Sequence, residues 1–300
     1  MAERAFITGL SGFLGSSLAA HLGRHGWEVW GSYKEREPKL KGVEARHLDI
    51  CLPEAWSTVL AEAKPKVVFH LAAQADPDTC AADVAATRQI NVQGARFAAQ
   101  AAAAVGAKLI FTSTDQVHDG SRALSSETDP ANPLGVYGRS KFDAEGLVLA
   151  EAGAKPLVVR LALTYGWGRG AARGRNFAEK WIRTLLTGNR LAAFTDQFRT
   201  PVYGEDACTA LRQAAEQDWQ GLLNVAGPER ASRHEFALKL AREFALPEAL
   251  VQAASANDVV FRDRRPPDSS LGIKKLLGLG LRPLGLDEGL KALHAELETV

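Results

Sequence analysis

The chain has 300 residues, of which 46% are hydrophobic and 24% are charged, and its formal net charge is +1. This length is enough for one large domain, or for a domain with a smaller one attached. A near-neutral charge without a basic tail gives no reason to expect nucleic acid or an anionic membrane surface as a partner.

The cysteines and histidines suggest neither a disulfide framework nor a metal site. Cys51, Cys80 and Cys208 are far apart and form no C-x-x-C pair. His21 and His25 share a helix face, but no third ligand accompanies them. No targeting segment and no apolar run long enough to cross a membrane is visible, so we expect a cytoplasmic protein without a metal or a membrane partner.

Apolar runs alternate with helical patterns over the first half of the chain. The runs RAFITG, WEVWGSY, KVVFHLAA, AKLIFTST and PLVVRLALTYG predict strands. Residues 16–25, 52–63, 81–105 and 137–151 predict the helices between them. Such alternation is typical of an α/β fold of the Rossmann type, in which helices cover both faces of a doubly wound parallel sheet.

The second half of the chain changes character. The segment GWGRGAARGRNF predicts a loop, helices are expected at about 177–187 and 205–217, and GLLNVAG predicts a return to the sheet. The capping pattern of Ser232 and Glu235 opens a further helix. We therefore expect a dinucleotide-binding domain at 1–166, with return elements at about 202–226. A smaller, mainly helical substrate cap is expected at 167–201 and 227–300.

The first predicted strand leads into a glycine-rich loop. Thr8, Gly9, Gly12 and Gly15 give the spacing T-G-x-x-G-x-x-G immediately before a helical pattern. Residues without Cβ let the backbone approach a bulky anion, and a helix N-terminus offers it unpaired N–H groups. The loop therefore predicts a phosphate cradle.

Two further motifs carry groups suited to acid–base chemistry. Tyr137 and Lys141 are spaced i, i+4 at the start of a predicted helix, so the lysine can lie beside the phenol. The run LIFTSTD ends a predicted strand with the hydroxyls of Ser113 and Thr114 and the carboxylate of Asp115. Side chains at this end of a parallel sheet face the ligand crevice.

Together with HLAAQAD at residues 70–76, these motifs resemble the extended short-chain dehydrogenase/reductase family. Within it the chain is most similar to the dTDP-4-dehydrorhamnose reductase branch, through STDQVHDG, DQFRTPVYGEDAC and RRPPDSSLGIKKL. The resemblance spans nearly the whole chain. It implies an NADPH-dependent reductase of a nucleotide-linked keto-sugar, with reduction of a 4-keto group as the leading reaction.

The resemblance also assigns roles to the catalytic residues. Tyr137 is the expected general acid that protonates the carbonyl oxygen. Lys141 is expected to lower the pKa of Tyr137 and to hold the nicotinamide ribose, while Thr114 hydrogen-bonds the reacting oxygen. A phenol has an ordinary pKa of about 10 and needs a neighbouring cation to exchange protons near neutral pH.

The cofactor site follows from the glycine loop and from the resemblance. Tyr33 stands where NAD-preferring members have an acid, and Lys34 and Arg36 follow closely behind it. This predicts a preference for NADP(H), with NAD(H) as the alternative. Asn91 has either a structural role or a cofactor contact. The predicted cofactor-binding residues are Gly9, Ser11, Gly12, Phe13, Leu14, Gly15, Tyr33, Lys34, Arg36, Asp49, Ile50, Leu71, Ala72, Ala73, Asn91, Tyr137 and Lys141.

The substrate residues come from the same comparison of motifs. They are Gln74, Asp115, Gln116, Leu163, Asn176, Arg199 and Arg265. Arg199 is the preferred candidate for binding a diphosphate, with Arg173 and Arg175 as further cations. Leu163 replaces a tryptophan that is frequent in the branch, and Gln116 and His118 replace aromatic residues, so the sugar pocket is expected to differ in shape.

Alternative functions remain open at this stage. An epimerase or dehydratase of the same family is one, although Gln116 stands where dehydratases have a glutamate. A non-catalytic partner is another, because the regulatory β subunit of methionine adenosyltransferase resembles the same branch. Helices 85–104 and 137–151 are those through which many members dimerise, so a homodimer is expected. A buried core helix explains the alanines of the first of these equally well.

Overall fold

The computed structural model of the chain describes residues 2–299. Its long strands form a parallel sheet, and short strand pairs lie outside it. The strands are β1 (Arg4–Thr8), β2 (Glu28–Tyr33), β3 (Val43–His47), β4 (Val67–His70), β5 (Lys108–Thr114), β6 (Leu157–Leu161), β7 (Thr164–Tyr165), β8 (Leu191–Phe194), β9 (Phe198–Arg199), β10 (Val202–Tyr203), β11 (Gly221–Val225), β12 (Ala231–Ser232) and β13 (Val251–Ala254).

The helices cover the sheet and build most of the cap. They are α1 (Phe13–Arg24), α2 (Pro53–Ala63), α3 (Pro77–Ala82), α4 (Val84–Arg88), α5 (Gly94–Ala104), α6 (Val136–Ala150), α7 (Phe177–Leu186), α8 (Gly204–Glu216), α9 (Arg233–Glu243), α10 (Lys274–Gly278) and α11 (Leu286–Ala295). A π-helical turn at Gln89–Gln93 joins α4 to α5.

The central sheet has seven strands in the order β11-β6-β5-β4-β1-β2-β3. Every neighbouring pair is parallel. From β1 the chain adds β2 and β3 on one side, and it then adds β4, β5 and β6 on the other side of β1. Ligands of such folds bind outside the carboxyl ends of the strands, at the point between β1 and β4 where the strand order reverses. The prediction of a Rossmann-type α/β fold is confirmed.

Two apolar layers hold the helices against the sheet. On one face, α1 and α8 bury Leu18, Leu22 and Leu211. On the other face, α2, α5 and α6 bury Trp56, Ala98 and other small side chains. Part of the alanine-rich surface of α5 therefore packs into the core of its own chain, as the simpler explanation of those alanines requires.

The cap is built around a cluster of aromatic and aliphatic side chains from α7, α9 and α11. Tyr165, Phe236 and Leu290 are buried in it. The short pairs β7–β10, β9–β12 and β8–β13 join the cap segments. Strands of two to four residues are too short to give a periodic signal, so the sequence did not predict these pairs.

Two elements differ from the sequence-based expectation. The predicted helix at 81–105 is divided into α4, the π-helical turn and α5. The strand β3 has the polar sequence VEARH and forms the edge of the sheet, so it lacks the apolar run of a buried strand. The other predicted strands and helices of the first half lie within a few residues of the observed ones.

Candidate active site

The glycine loop forms a tight turn between β1 and α1. Gly9 has φ +75°, and a Cβ at this position would lie 3.1 Å from the backbone of Ala72. A Cβ on Gly15 would lie 2.2 Å from the carbonyl oxygen of Gly9. Gly12 precedes α1 and no side chain caps that helix, so its first N–H groups face outward without a side-chain acceptor. This cradle fits the pyrophosphate of a dinucleotide.

A groove of about 460 Å³ runs from this loop along the carboxyl ends of β1, β2 and β4. It contains most of the predicted cofactor residues, namely Gly9, Ser11, Gly12, Phe13, Tyr33, Lys34, Asp49, Ile50, Leu71, Ala72 and Ala73, together with Gln74. The sequence did not single out the other lining residues for this groove, namely Ser32, Leu48, Cys51, Ala75, Ile90 and Arg175. Arg175 was expected to be a substrate cation.

A buried hydrogen-bond network fixes the floor of the groove. The Thr8 hydroxyl accepts hydrogen bonds from the backbone N–H groups of Leu71 and Ala72, both at 3.0 Å. It lies 3.0 Å from His70 Nδ1, to which it therefore donates. Burial lowers the pKa of His70 to about 3, so the ring is neutral at physiological pH. These bonds lock the ends of β1 and β4 together.

An ion pair lies in the groove at the carboxyl ends of β2 and β3. Lys34 Nζ is 2.9 Å from Asp49 Oδ2. A hydrogen bond with Asp49 raises the pKa of Lys34. Arg36 is exposed and does not line the groove. Among the three residues that predicted the cofactor preference, Tyr33 and Lys34 thus line the groove.

A second cavity, of about 280 Å³, opens at the carboxyl ends of β5 and β6. It contains Thr114, Tyr137 and Lys141, and also the predicted residues Leu14, Asp115, Gln116, Leu163 and Arg199. Leu71, Ala73 and Ala75 line both this cavity and the groove. The two spaces are therefore contiguous, with the three predicted catalytic residues on one side of their junction.

Tyr137 is held in its protonated form. Burial raises the pKa of its phenol, and a hydrogen bond with Thr114 acts in the opposite direction. The sequence led us to expect that Lys141 would be the main influence and would lower this pKa. In the observed geometry burial is instead the largest influence and raises this pKa, because the phenol is shielded from the water that would solvate a phenolate.

Lys141 is buried one helical turn beyond Tyr137. Its Nζ lies 4.1 Å from the centre of the Phe111 ring. Burial lowers the pKa of Lys141 to about 7, and the nearby Glu145 carboxylate acts in the opposite direction. The ammonium form is therefore present at neutral pH but is easily lost.

A buried ion pair supports this lysine and was not predicted. Arg160 Nη2 donates to Glu145 at 2.8 Å, and both side chains are about 4% exposed. Ser113 Oγ also donates to Glu145, at 2.5 Å. Charged groups inside a protein are retained when their hydrogen bonds are satisfied, as they are here. The network fixes α6 against β5 and β6 beneath the cavity.

The start of α6 is capped from a distant part of the chain. Asp263 accepts hydrogen bonds from the backbone N–H groups of Val136, at 2.7 Å, and Tyr137, at 3.2 Å. No local side chain caps this helix. The sequence does not predict this cap, because a contact across 126 residues leaves no local pattern.

Five predicted site residues lie outside both cavities, namely Gly15, Arg36, Asn91, Asn176 and Arg265. Asn91 lies in the π-helical turn, where its side chain accepts from Gln74 N at 2.8 Å and donates to Gln74 O at 2.9 Å. Of its two expected roles, this geometry supports the structural one. Asn176 caps α7 and donates to the Thr164 carbonyl oxygen at the cavity wall.

The arginines expected to meet a diphosphate are distributed over different sites. Arg199 lines the active-site cavity and is 7% exposed, with its Nε 3.6 Å from Asp115. Arg265 pairs with Asp78 at 2.7 Å. Arg173 lines a separate cavity of about 600 Å³ in the cap.

Within residues 2–299, no group of three His, Cys, Asp or Glu side chains is placed to hold a metal ion. Nor does any helix in that range combine the length and apolar character that a membrane crossing requires.

Comparison with known proteins agrees with the dinucleotide-binding class that this fold and groove define. The family described as "RmlD substrate binding domain" matches residues 3–298. The chain therefore belongs to this family, within the extended short-chain dehydrogenase/reductases, as its motifs predicted.

Two curated relatives and one solved structure illustrate the similarity. The chain is 30% identical to methionine adenosyltransferase 2 subunit beta of Bos taurus, over 96% of this chain and 87% of the relative. It is 28% identical to dTDP-4-dehydrorhamnose reductase of Aggregatibacter actinomycetemcomitans, over 98% and 99%. The crystal structure of dTDP-4-dehydrorhamnose reductase from Bacillus anthracis, in complex with NADP, superposes with a TM-score of 0.85 at 27% identity, covering 99% and 100% of the two chains.

Proposed function

We propose that the chain is an NADPH-dependent reductase that converts the keto group of a nucleotide-linked sugar to a hydroxyl, with a 4-keto group as the leading substrate. The observation that carries this proposal is the position of Thr114, Tyr137 and Lys141. All three line a cavity that opens directly into a groove shaped for a dinucleotide. The bacterial relatives named above are reductases of this type by their names.

The glycine loop, the N-terminus of α1 and the Leu71–Ala73 segment would hold NADP(H) in the groove. When bound there, NADPH supplies the hydride for the carbonyl carbon. Lys34 and Tyr33 lie where a 2′-phosphate would be recognised, so NADP(H) is the preferred cofactor and NAD(H) the alternative. Arg175 adds a second cation along the same groove.

The proton comes from the protein. Tyr137 is kept protonated by burial, so its phenol is ready to donate a proton to the carbonyl oxygen of the substrate. Thr114 hydrogen-bonds the phenol and is placed to orient the same oxygen. Lys141, as an ammonium ion, would hold the nicotinamide ribose and stabilise the phenolate that remains after proton transfer.

The substrate contacts are proposed from the lining of the cavity. Asp115, Gln116, Leu163 and Arg199 line it, and Gln74 lines the adjoining groove. Leu163 offers a smaller, purely aliphatic surface than the tryptophan frequent in this branch. We propose that the sugar pocket differs accordingly, while the diphosphate and the nucleobase extend towards the cap.

A non-catalytic regulatory role is the alternative that a specific observation favours. The bovine relative is a named subunit of another enzyme, and it is about as similar to this chain as the bacterial reductases are. The intact Thr114, Tyr137 and Lys141 favour catalysis. An epimerase of the same family is the other alternative, and tightly held NAD after purification would support it.

The organisation of the protein is also a proposal. We propose the division into a dinucleotide-binding domain at 1–166, with return elements at about 202–226, and a substrate cap at 167–201 and 227–300. We further propose a cytoplasmic homodimer that associates through α5 and α6. Sedimentation of the purified protein at several concentrations tests the dimer.

The function is tested by following NADPH absorbance in the presence of a panel of keto-sugar nucleotides. We expect oxidation of NADPH with at least one of them, and oxidation at least about a hundredfold slower with Tyr137→Phe. Absence of turnover with the whole panel, together with unchanged NADPH binding, would favour the regulatory alternative.

A further inference from the structure

Three arginines from separate segments of the chain, Arg199, Arg233 and Arg265, lie close enough to influence one another electrostatically, and Arg199 also lines the active-site cavity. Two of the three already have partners within the protein. Arg199 Nε lies 3.6 Å from Asp115, and its Nη1 donates to two backbone carbonyl oxygens. Arg265 donates to Asp78 at 2.7 Å. Each of these guanidinium groups therefore has acceptors within the protein.

Arg233, the first residue of α9, has a different environment. Its guanidinium carbon lies 4.7 Å from the centre of the Phe177 ring and 4.6 Å from that of Trp181. Within the described part of the chain, no carboxylate pairs with it and its guanidinium donates no hydrogen bond. The cation packs against both rings, which are roughly perpendicular to each other, and this contact leaves its N–H groups available to an external acceptor.

The backbone holds Arg233 next to a segment that contributes to the active-site cavity. β12 pairs with β9, which places Ser232 opposite Phe198. The N–H group of Arg233 donates to the carbonyl oxygen of Gln197 at 3.0 Å. Gln197 is only two residues before Arg199, which lines the cavity. Arg233 is therefore attached to the segment that forms the cap wall of the active site.

The surrounding charges favour an anion at this position. Burial is the main cause that lowers the pKa of Arg233 to about 9, and the positive charges of Arg199 and Arg265 contribute in the same direction. Asp115 acts in the opposite direction but is already engaged with Arg199. A bound anion would offset the free-energy cost of burying this cation. It would also offset the repulsion between Arg233 and the other two arginines.

We infer that Arg233 binds the diphosphate of the nucleotide-linked substrate, an inference that rests on the proposed function. Its planar fork of N–H donors matches two phosphate oxygens. Arg199 holds the cavity wall through Asp115 and is not the principal anion contact. The inference therefore replaces Arg199, which the sequence favoured, with a residue that the sequence did not single out.

A purely structural role for Arg233 makes a different prediction. If the guanidinium only packs α9 against α7, its loss lowers thermal stability and leaves the affinity for a nucleoside diphosphate unchanged. Arg233→Met keeps the aliphatic stem and removes the charge, whereas Arg233→Lys keeps the charge and removes the fork. Arg242→Met is the matched control, because Arg242 lies on the same helix, pairs with Glu248 and is exposed.

The experiment measures calorimetric affinities of dTDP and UDP for the NADP⁺-saturated protein, so that neither probe occupies the cofactor groove. We expect Arg233→Met to weaken the tighter of the two at least about tenfold, the scale of one charge-assisted contact. Arg233→Lys should recover part of this loss, and Arg242→Met should bind like the wild type. The affinity for NADP⁺, measured separately, should change less than about twofold in all variants.

Two results overturn the inference. One is a wild-type protein that binds neither dTDP nor UDP, and the other is unchanged binding by Arg233→Met. The proposed function fails separately, if the wild type binds dTDP through Arg233 but oxidises no NADPH with any keto-sugar nucleotide.

Discussion

The carboxylate of Asp263 caps the helix that carries Tyr137, by accepting hydrogen bonds from the backbone N–H groups of Val136 and of Tyr137 itself. The proposed general acid is thus held in place by the C-terminal part of the chain. The same segment contacts the sheet domain a second time, through the pair of Arg265 and Asp78. The position of Tyr137 therefore depends on the packing of this C-terminal segment against the start of α6.

Asp263→Ala is expected to lower the free energy of unfolding by about 1 kcal/mol, the usual contribution of a helix cap. Because the cap also orients the first turn of α6, kcat should fall with little change in the affinity for NADPH. Chemical denaturation and steady-state kinetics measure the two effects. Asp258→Ala is the control, since Asp258 is exposed in the same part of the chain. Equal kcat values for Asp263→Ala and the wild type would show that capping of α6 by Asp263 does not contribute to catalysis.

Tyr137→Phe removes the proton donor and keeps the ring. We expect kcat to fall about a hundredfold or more, since general acid catalysis contributes 10²–10⁴ in rate. NADPH binding, followed by fluorescence titration, should be nearly unchanged. Near-wild-type turnover in this variant would refute the assignment of the acid.

The cofactor preference is expected to depend on Lys34. The wild type should use NADPH at least about tenfold better than NADH, as measured by kcat/KM. Lys34→Met should reduce this ratio, because it removes the cation proposed to bind the 2′-phosphate. Lys41→Met, which changes an exposed lysine nearby, should keep it. Equal kcat/KM values for the two cofactors in the wild type would show that Lys34 serves only its pair with Asp49.

The pH dependence should report the titration of Lys141. Since burial lowers the pKa of this lysine to about 7, its ammonium form is lost as the pH rises through neutrality. If this charge is needed, kcat/KM should be flat at lower pH and fall with a slope approaching tenfold per pH unit above about 7. A profile without a break between pH 6 and about 8.5 would contradict this role for the charge.

The same lysine has a predicted effect on stability. Its pKa in the unfolded chain is near 10.5, so between about pH 7 and 10.5 the unfolded state binds more protons than the folded state. The stability of the wild type relative to Lys141→Met should therefore rise as the pH increases across this window. A difference independent of pH would mean that the lysine keeps an ordinary pKa in the folded protein.

The sequence predicted those features that rest on local patterns. The buried parallel strands are continuous apolar runs, the glycine spacing precedes α1 directly, and Tyr137 and Lys141 are one helical turn apart. Each of these signals lies within a few residues, and the family motifs add the identities of the groups at the strand ends.

The features that the sequence did not predict are contacts between distant segments. The hydrogen bonds from the first turn of α6 to Asp263 join residues 126 positions apart. The contacts of Arg233 with Phe177 and Trp181 join α9 to α7. The raised pKa of Tyr137 depends on burial, which the residue's identity does not reveal. Short strand pairs in the cap are likewise set by tertiary packing and not by periodicity.

The most direct test of the account is to supply NADPH deuterated at the transferable position together with the keto-sugar nucleotide that the protein turns over. The account predicts a sugar product one mass unit heavier than the product formed with ordinary NADPH, with one NADP⁺ formed per molecule of product. Tyr137→Phe should form at least about a hundredfold less of this labelled product over the same time. An unlabelled sugar product, or a product formed without consumption of NADPH, would contradict the reductase assignment.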